Sequence, residues 1–129
     1  MATFRGVNNA GIQSFTAGNN FNVSFQFVKL GTTDALGNKT LVTPTANSDL
    51  LEGVTITTGV TGQGIGLVPR DSGATIKIKV ATGQTVALGD RLGSDATEFE
   101  NAAVAAPNAI LTAMETGVAG QYIEARLDS

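Results

Sequence analysis

The sequence predicts an all-β fold: a small antiparallel β-barrel or sandwich with an extended N-terminal arm. Three observations lead there. Glycine is abundant, at 16 of 129 residues, and in the second half it leads one turn after another. Between those turns run short stretches in which apolar and polar residues alternate, the period of a half-buried strand. The hydrophobic fraction of 42% is mostly Ala, Val, Ile and Leu, and Thr and Asn are common, the composition of many short strands and turns. The length suits one core-bearing domain. The division expected is an arm over 1–20 and a single β-rich domain over 21–129.

Residues 1–20 are poor in charge and rich in Gly and Asn. Phe4, Val7, Ile12 and Phe15 stand among them with no helical period. Apolar side chains of this size are costly to leave in water, so these four are the candidate contacts of the arm with a neighbouring subunit or partner. Residues 21–30 alternate strictly, with Phe21, Val23, Phe25 and Phe27 on one face, and predict a strand. Gly31–Asn38 reads as a loop or hairpin tip, and Lys39–Thr43 as a short strand ended by Pro44.

From Glu52 the rhythm is regular. Strands are predicted at Val54–Thr57 and at the apolar run through Gly66, Leu67 and Val68. A third follows at Thr75–Val80, with Ile76, Ile78 and Val80 inward and Thr75, Lys77 and Lys79 outward. Gly89-Asp90 makes a tight corner among Val86, Leu88 and Leu92. Asp95-Ala-Thr-Glu98 fits either a helix capping box or a hairpin tip between Leu92 and Phe99, and the strand-like neighbours favour the hairpin. Strands at Ile110–Met114 and Tyr122–Leu127 complete the pattern. The expected core is Phe25, Phe27, Ile76, Ile78, Val80, Val86, Leu88, Leu92, Ile123 and Leu127.

The sequence contains no His, no Cys and no Trp. A nucleophile activated by imidazole is therefore excluded, as is a Cys–His pair, and a tetrahedral zinc site has no preferred ligands. Asp34, Asp90, Asp95, Glu98 and Glu100 do not follow the spacing of a calcium loop and read as turn and cap carboxylates. The glycines from Gly59 to Gly66 lack the Gly-Lys-Ser/Thr of a phosphate loop and precede strands rather than a helix. Lys77 and Lys79 read as a solvated strand face. No enzyme activity, metal or cofactor is expected. The net charge of −3, without any Lys/Arg block, gives no footprint for nucleic acid. No apolar run reaches the roughly 20 residues of a membrane span, and Met1–Arg5 lacks a signal-type apolar stretch, so synthesis in a cytoplasm is expected.

From about Glu52 onward the pattern resembles the phage capsid decoration, or cement, proteins. The residues that carry the resemblance begin with Gly64-Ile-Gly66-Leu-Val68 and the strand Thr75–Val80. Gly83-Gln-Thr-Val86-Ala-Leu-Gly89-Asp90-Arg-Leu92 follows, then Ser94–Thr97, Ala109–Gly117 and Gly120–Leu127. The arm and the 21–30 strand have no counterpart in that pattern. The Gly83–Leu92 segment also looks like the turns of biotinyl- and lipoyl-type domains, but neither Lys77 nor Lys79 sits at a hairpin tip beside Met. The cement resemblance implies a viral structural protein on the outside of a bacteriophage capsid. It implies a homotrimer, the major capsid protein as partner, and a place on the virion. A small-ligand-binding or carrier β-barrel is the alternative, and a carboxylate-dependent hydrolase a third reading.

Overall fold

The computed structural model describes residues 13–128. All regular structure among them is β, in twelve strands that make two halves. The first half is a closed barrel of β1 (Gln13–Ala17), β2 (Phe27–Leu30), β3 (Thr40–Val42), β4 (Gly53–Thr55) and β5 (Gly64–Pro69), in the order β1-β3-β2-β4-β5. Antiparallel pairing of β1 with β5 closes it, Gln13 opposite Leu67 and Thr16 opposite Gly64. The β1–β3 pair is parallel.

The second half contains β6 (Thr75–Lys79), β7 (Thr85–Val86), β8 (Arg91–Ser94), β9 (Ala102–Val104), β10 (Leu111–Ala113), β11 (Gly117–Val118) and β12 (Tyr122–Leu127). Five of them form an antiparallel sheet in the order β9-β8-β10-β12-β6, and β7 and β11 form a small ribbon. A bridge between Val80 and Ala102 brings the two ends of the sheet together.

Two adjacent apolar couplets explain how the halves join. Phe27 and Val28 are both fully buried although they point to opposite sides of β2. Val28 joins the barrel interior with Ala17, Phe21, Leu41, Ile65 and Leu67. Phe27 joins the other core, with Leu51, Val54, Val68, Ile76, Ile78, Val80, Leu92, Leu111, Ile123 and Leu127. Leu67 and Val68 divide in the same way on β5. A strand covered on both faces needs apolar residues at consecutive positions, so these couplets mark the wall shared by the two cores. Asn108 ties the halves as well. Its amide Nδ2 donates to the Asp49 carbonyl at 2.9 Å, and its Oδ1 accepts from the Ser94 N–H at 2.9 Å. That approach requires Gly93, where a Cβ would lie 2.4 Å from Asn108 Oδ1.

The predicted second half is observed. The last strand alternates, with Ile123, Ala125 and Leu127 buried and Tyr122, Glu124 and Arg126 exposed. Residues 95–101 form a hairpin tip between β8 and β9. The Asp95 carboxylate closes it by accepting from the N–H groups of Thr97 and Glu98.

Two expectations are corrected. The strand read over 21–30 is regular only at Phe27–Leu30. Phe21 bridges Gly59 and Phe27 pairs with Val54, so six steps on one side run against five on the other. The extra residue is accommodated by a bend in which Phe25 takes φ +62 and Val23 turns outward. The slip also reverses side-chain parity, so Phe21 and Phe27 enter different cores. Second, Leu88 is 68% exposed, because β7 ends at Val86 and the chain turns through Gly89 at φ +88. Phe25 is only partly buried. The other eight expected core residues are buried. Of the residues expected to form the arm, Gln13–Ala17 is hydrogen-bonded into the barrel on both sides, and residues 1–12 lie outside the described residues.

Candidate interaction surface

The three most exposed large apolar residues among those described are Leu36 (87%), Leu88 (68%) and Leu50 (63%). Leu36 and Leu88 lie in turns held by a neighbouring aspartate, and Leu50 directly follows one. Asp34 Oδ1 accepts from the N–H groups of Leu36 and Asn38, both at 2.9 Å, and Oδ2 from the Asn38 amide. Asp49 Oδ2 accepts from the N–H groups of Thr45 and Ala46 and lies 3.0 Å from Lys29 Nζ. Asp90 Oδ2 accepts from the Ala87 N–H at 2.8 Å. An aspartate that bonds nearby backbone fixes the turn. These leucines are thus displayed on or beside ordered turns rather than on loose loops.

The electrostatics follow from the same bonds. The Asn38 N–H, with the other donors of its loop, holds the Asp34 carboxyl below its ordinary value. The Thr45 N–H and then Lys29 lower Asp49 to about 2. At Asp95 burial acts to raise the value, but bonds from Glu98 and Thr97 outweigh it and the net direction is down. The Thr82 and Asn101 bonds lower Glu98. Four of the carboxylates weighed for calcium in the sequence therefore hold turns, and the described residues contain no cluster of three or more metal-ligating side chains.

The barrel interior is filled by Phe21, Val28, Leu41, Ile65 and Leu67, each at most 2% exposed. Open surface grooves lie elsewhere among the described residues. One, of about 440 Å³, lies where Leu50, Arg70 and Asp71 face Pro107–Ile110. Another, of about 470 Å³, is bounded by Phe15, Gly37–Lys39 and Gly64.

Of the predicted contact residues, Phe15 sits on β1, partly buried and packed against the barrel core. Phe4, Val7 and Ile12 lie outside the described residues. The sequence reading missed Leu36, Leu50 and Leu88 as surface features. A signal existed: each stands inside or beside an Asp- or Gly-containing turn, where no strand neighbour can cover a side chain.

No protein-family model matches the chain, and no curated protein matches it in sequence. Its fold does match a solved structure, that of the N base of head fiber gp8.5 in bacteriophage phi29. The TM-score is 0.66, and the match covers 91% of this chain and 94% of that one. The two are 17% identical. The likeness is therefore one of fold, and it spans both halves.

Proposed function

We propose that this protein is a structural component of a bacteriophage head. In this reading it sits on the outer surface of the capsid, bridges subunits of the major capsid protein as a homotrimer, and stabilises the shell without catalysing a reaction. The observation that carries the proposal is the shared fold with the phi29 head fiber base over nearly the whole of both chains. The cement-like run from Gly64 to Leu127 points the same way from sequence.

The physics of the surface agrees. A protein that holds a shell together must present contacts that are already ordered, because ordering them on binding would cost affinity. Leu36, Leu50 and Leu88 on or beside aspartate-held turns are such contacts. Among the described residues the barrel interior is occupied by large buried side chains, which does not favour the carrier alternative.

The test uses phage shells assembled without the protein. They should form but break at lower temperature than complete shells. Adding the protein should restore resistance in proportion to occupancy and saturate once all sites are filled. Rescue at trace amounts, or no binding to shells at all, would overturn the proposal. Sedimentation of the free protein and of its capsid-bound form tests the trimer.

A further inference from the structure

The outer face of the second sheet collects half of the chain's eight Lys and Arg residues. Strand register places them in rows. Arg91 lies opposite Thr112, Thr112 opposite Arg126, and Arg126 opposite Thr75. The next row sets Glu124 opposite Lys77, and the last sets Tyr122 opposite Lys79. The inner face of the same strands is the buried core, so these side chains lie on the outer face, where Tyr122 also meets Phe25 of the barrel half edge to face at 6.4 Å.

The cations of this face are not equally engaged. Asp128 pairs with Arg91 and lies 3.6 Å from Arg126. Lys77 and Lys79 have no ion-pair partner among the described residues. Beside them are two large exposed apolar side chains, Tyr122 at 44% and Met114 at 42%, with Met114 joined to β12 through its N–H on the Glu124 carbonyl. Glu115 marks the rim, where its carboxylate accepts from the Glu124 N–H.

We infer that this face, centred on Lys77, Lys79 and Tyr122, docks against a carboxylate-rich protein surface. The inference rests on the proposed function and names the partner surface as an acidic patch of the shell. Charge complementarity selects the sign of the partner: Asp128 is taken up by Arg91 and Arg126, and Glu124 and the rim residue Glu115 form no ion pair with Lys77 or Lys79, which leaves two unpaired lysines on the face. Residue type selects a protein rather than a nucleic acid. Tyr and Met are enriched in protein interfaces, whereas Glu124 in the middle of the face would oppose a phosphate backbone.

The test measures binding of the full chain to shells assembled without it. The variants are K77E/K79E, the milder K77Q/K79Q, and N22D/T58E, a change of equal net charge to the milder pair at exposed barrel positions. Circular dichroism checks that each is folded. Removing buried or rim charge pairs weakens complexes, so about a 10-fold or greater loss is expected for K77E/K79E and a smaller one for K77Q/K79Q, with wild-type binding falling as salt rises. N22D/T58E should bind as wild type. Wild-type binding that both lysine variants leave unchanged would overturn this inference and leave the proposed function standing. A wild-type chain that ignores shells would overturn both. Loss of self-association in K77E/K79E would show that the occupant is a second copy. Lysine-dependent binding to duplex DNA with unchanged shell binding would show that it is nucleic acid. Either result overturns the acidic-shell assignment.

Discussion

The barrel half and the sheet half use the same kinds of residue but differ in how faithfully strand alternation reports the core that a side chain enters. In the sheet half, alternate residues of β6 and β12 face one core, although these strands pair across some fifty positions, Thr75 opposite Arg126, while β8 and β9 pair as a hairpin. In the barrel half, closure depends on β1 meeting β5, Gln13 opposite Leu67, and on a parallel pairing of β1 with β3. Local pairing leaves its mark on nearby residues. Long-range closure involves residues that are some fifty positions apart, and neither segment alone signals it. The difference teaches where a sequence of this kind speaks and where it is silent.

Phe27 gives the sharpest way to break the comparison, since it belongs to a barrel strand yet packs in the core of the sheet half. Phe27→Ala should cost about 3–5 kcal/mol, the range for deleting a buried Phe side chain. If the halves fold as one unit, hydrogen exchange should show lost protection in β5 and β12 alike. Protection lost only in the barrel would mean that the shared wall does not couple them.

Leu41 and Ile78 set one core against the other. Both are fully buried, Leu41 within the barrel and Ile78 within the sheet half. Leu41→Ala and Ile78→Ala should each cost about 2–5 kcal/mol in urea unfolding. Equal losses in one cooperative transition would place both cores in a single unit. A biphasic curve for one variant would separate them.

The sheet half was legible because β6 and β12 obey a single period and turns such as Gly83, Gly89-Asp90 and Asp95 carry their own glycine or aspartate. Ile76, Ile78, Val80, Ile123 and Leu127 are buried as their alternation predicts. The barrel half misled at Phe21–Phe27, where alternation continues through a one-residue slip. Alternation records which residues could share a face, but a bulge changes the face without changing the pattern. The surface was less legible still. Leu88 has the same neighbours in sequence as a strand residue, and only the end of β7 at Val86 leaves it outside. The paired lysine face was visible as alternation, but its company of Arg91, Arg126, Tyr122 and Met114 depends on strand order across the sheet.

Acid offers a gentler probe of the barrel half. Asp49 has a folded-state value of about 2 against 3.8 for the free side chain. A depressed value means that the carboxylate form is favoured by folding. Its contribution is therefore present above pH 3.8 and disappears as pH falls towards 2. Asp49→Asn should flatten the loss of thermal stability across that window, while lowering stability slightly at neutral pH. An unchanged acid profile would show that the Thr45, Ala46 and Lys29 bonds do not contribute to the pH dependence.

The smallest expected effect on folding carries the largest functional information. Leu36 is 87% exposed, and no buried contact is lost when it is shortened. Leu36→Ser should change the urea midpoint by the equivalent of no more than about 0.5 kcal/mol, as for surface substitutions in general. Asp34 would still accept from the N–H of residue 36, so the turn should keep its shape. If Leu36 is a docking contact, the same variant should weaken attachment to shells well beyond its effect on stability. Asp34→Ala supplies the companion measurement. It keeps the leucine but removes the bonds that hold its turn, and it should weaken attachment through disorder rather than through lost apolar area. Weakening by both changes would tie attachment to an ordered leucine. Unchanged attachment in Leu36→Ser would remove this turn from the contact surface and leave Leu50, Leu88 and the lysine face to account for it.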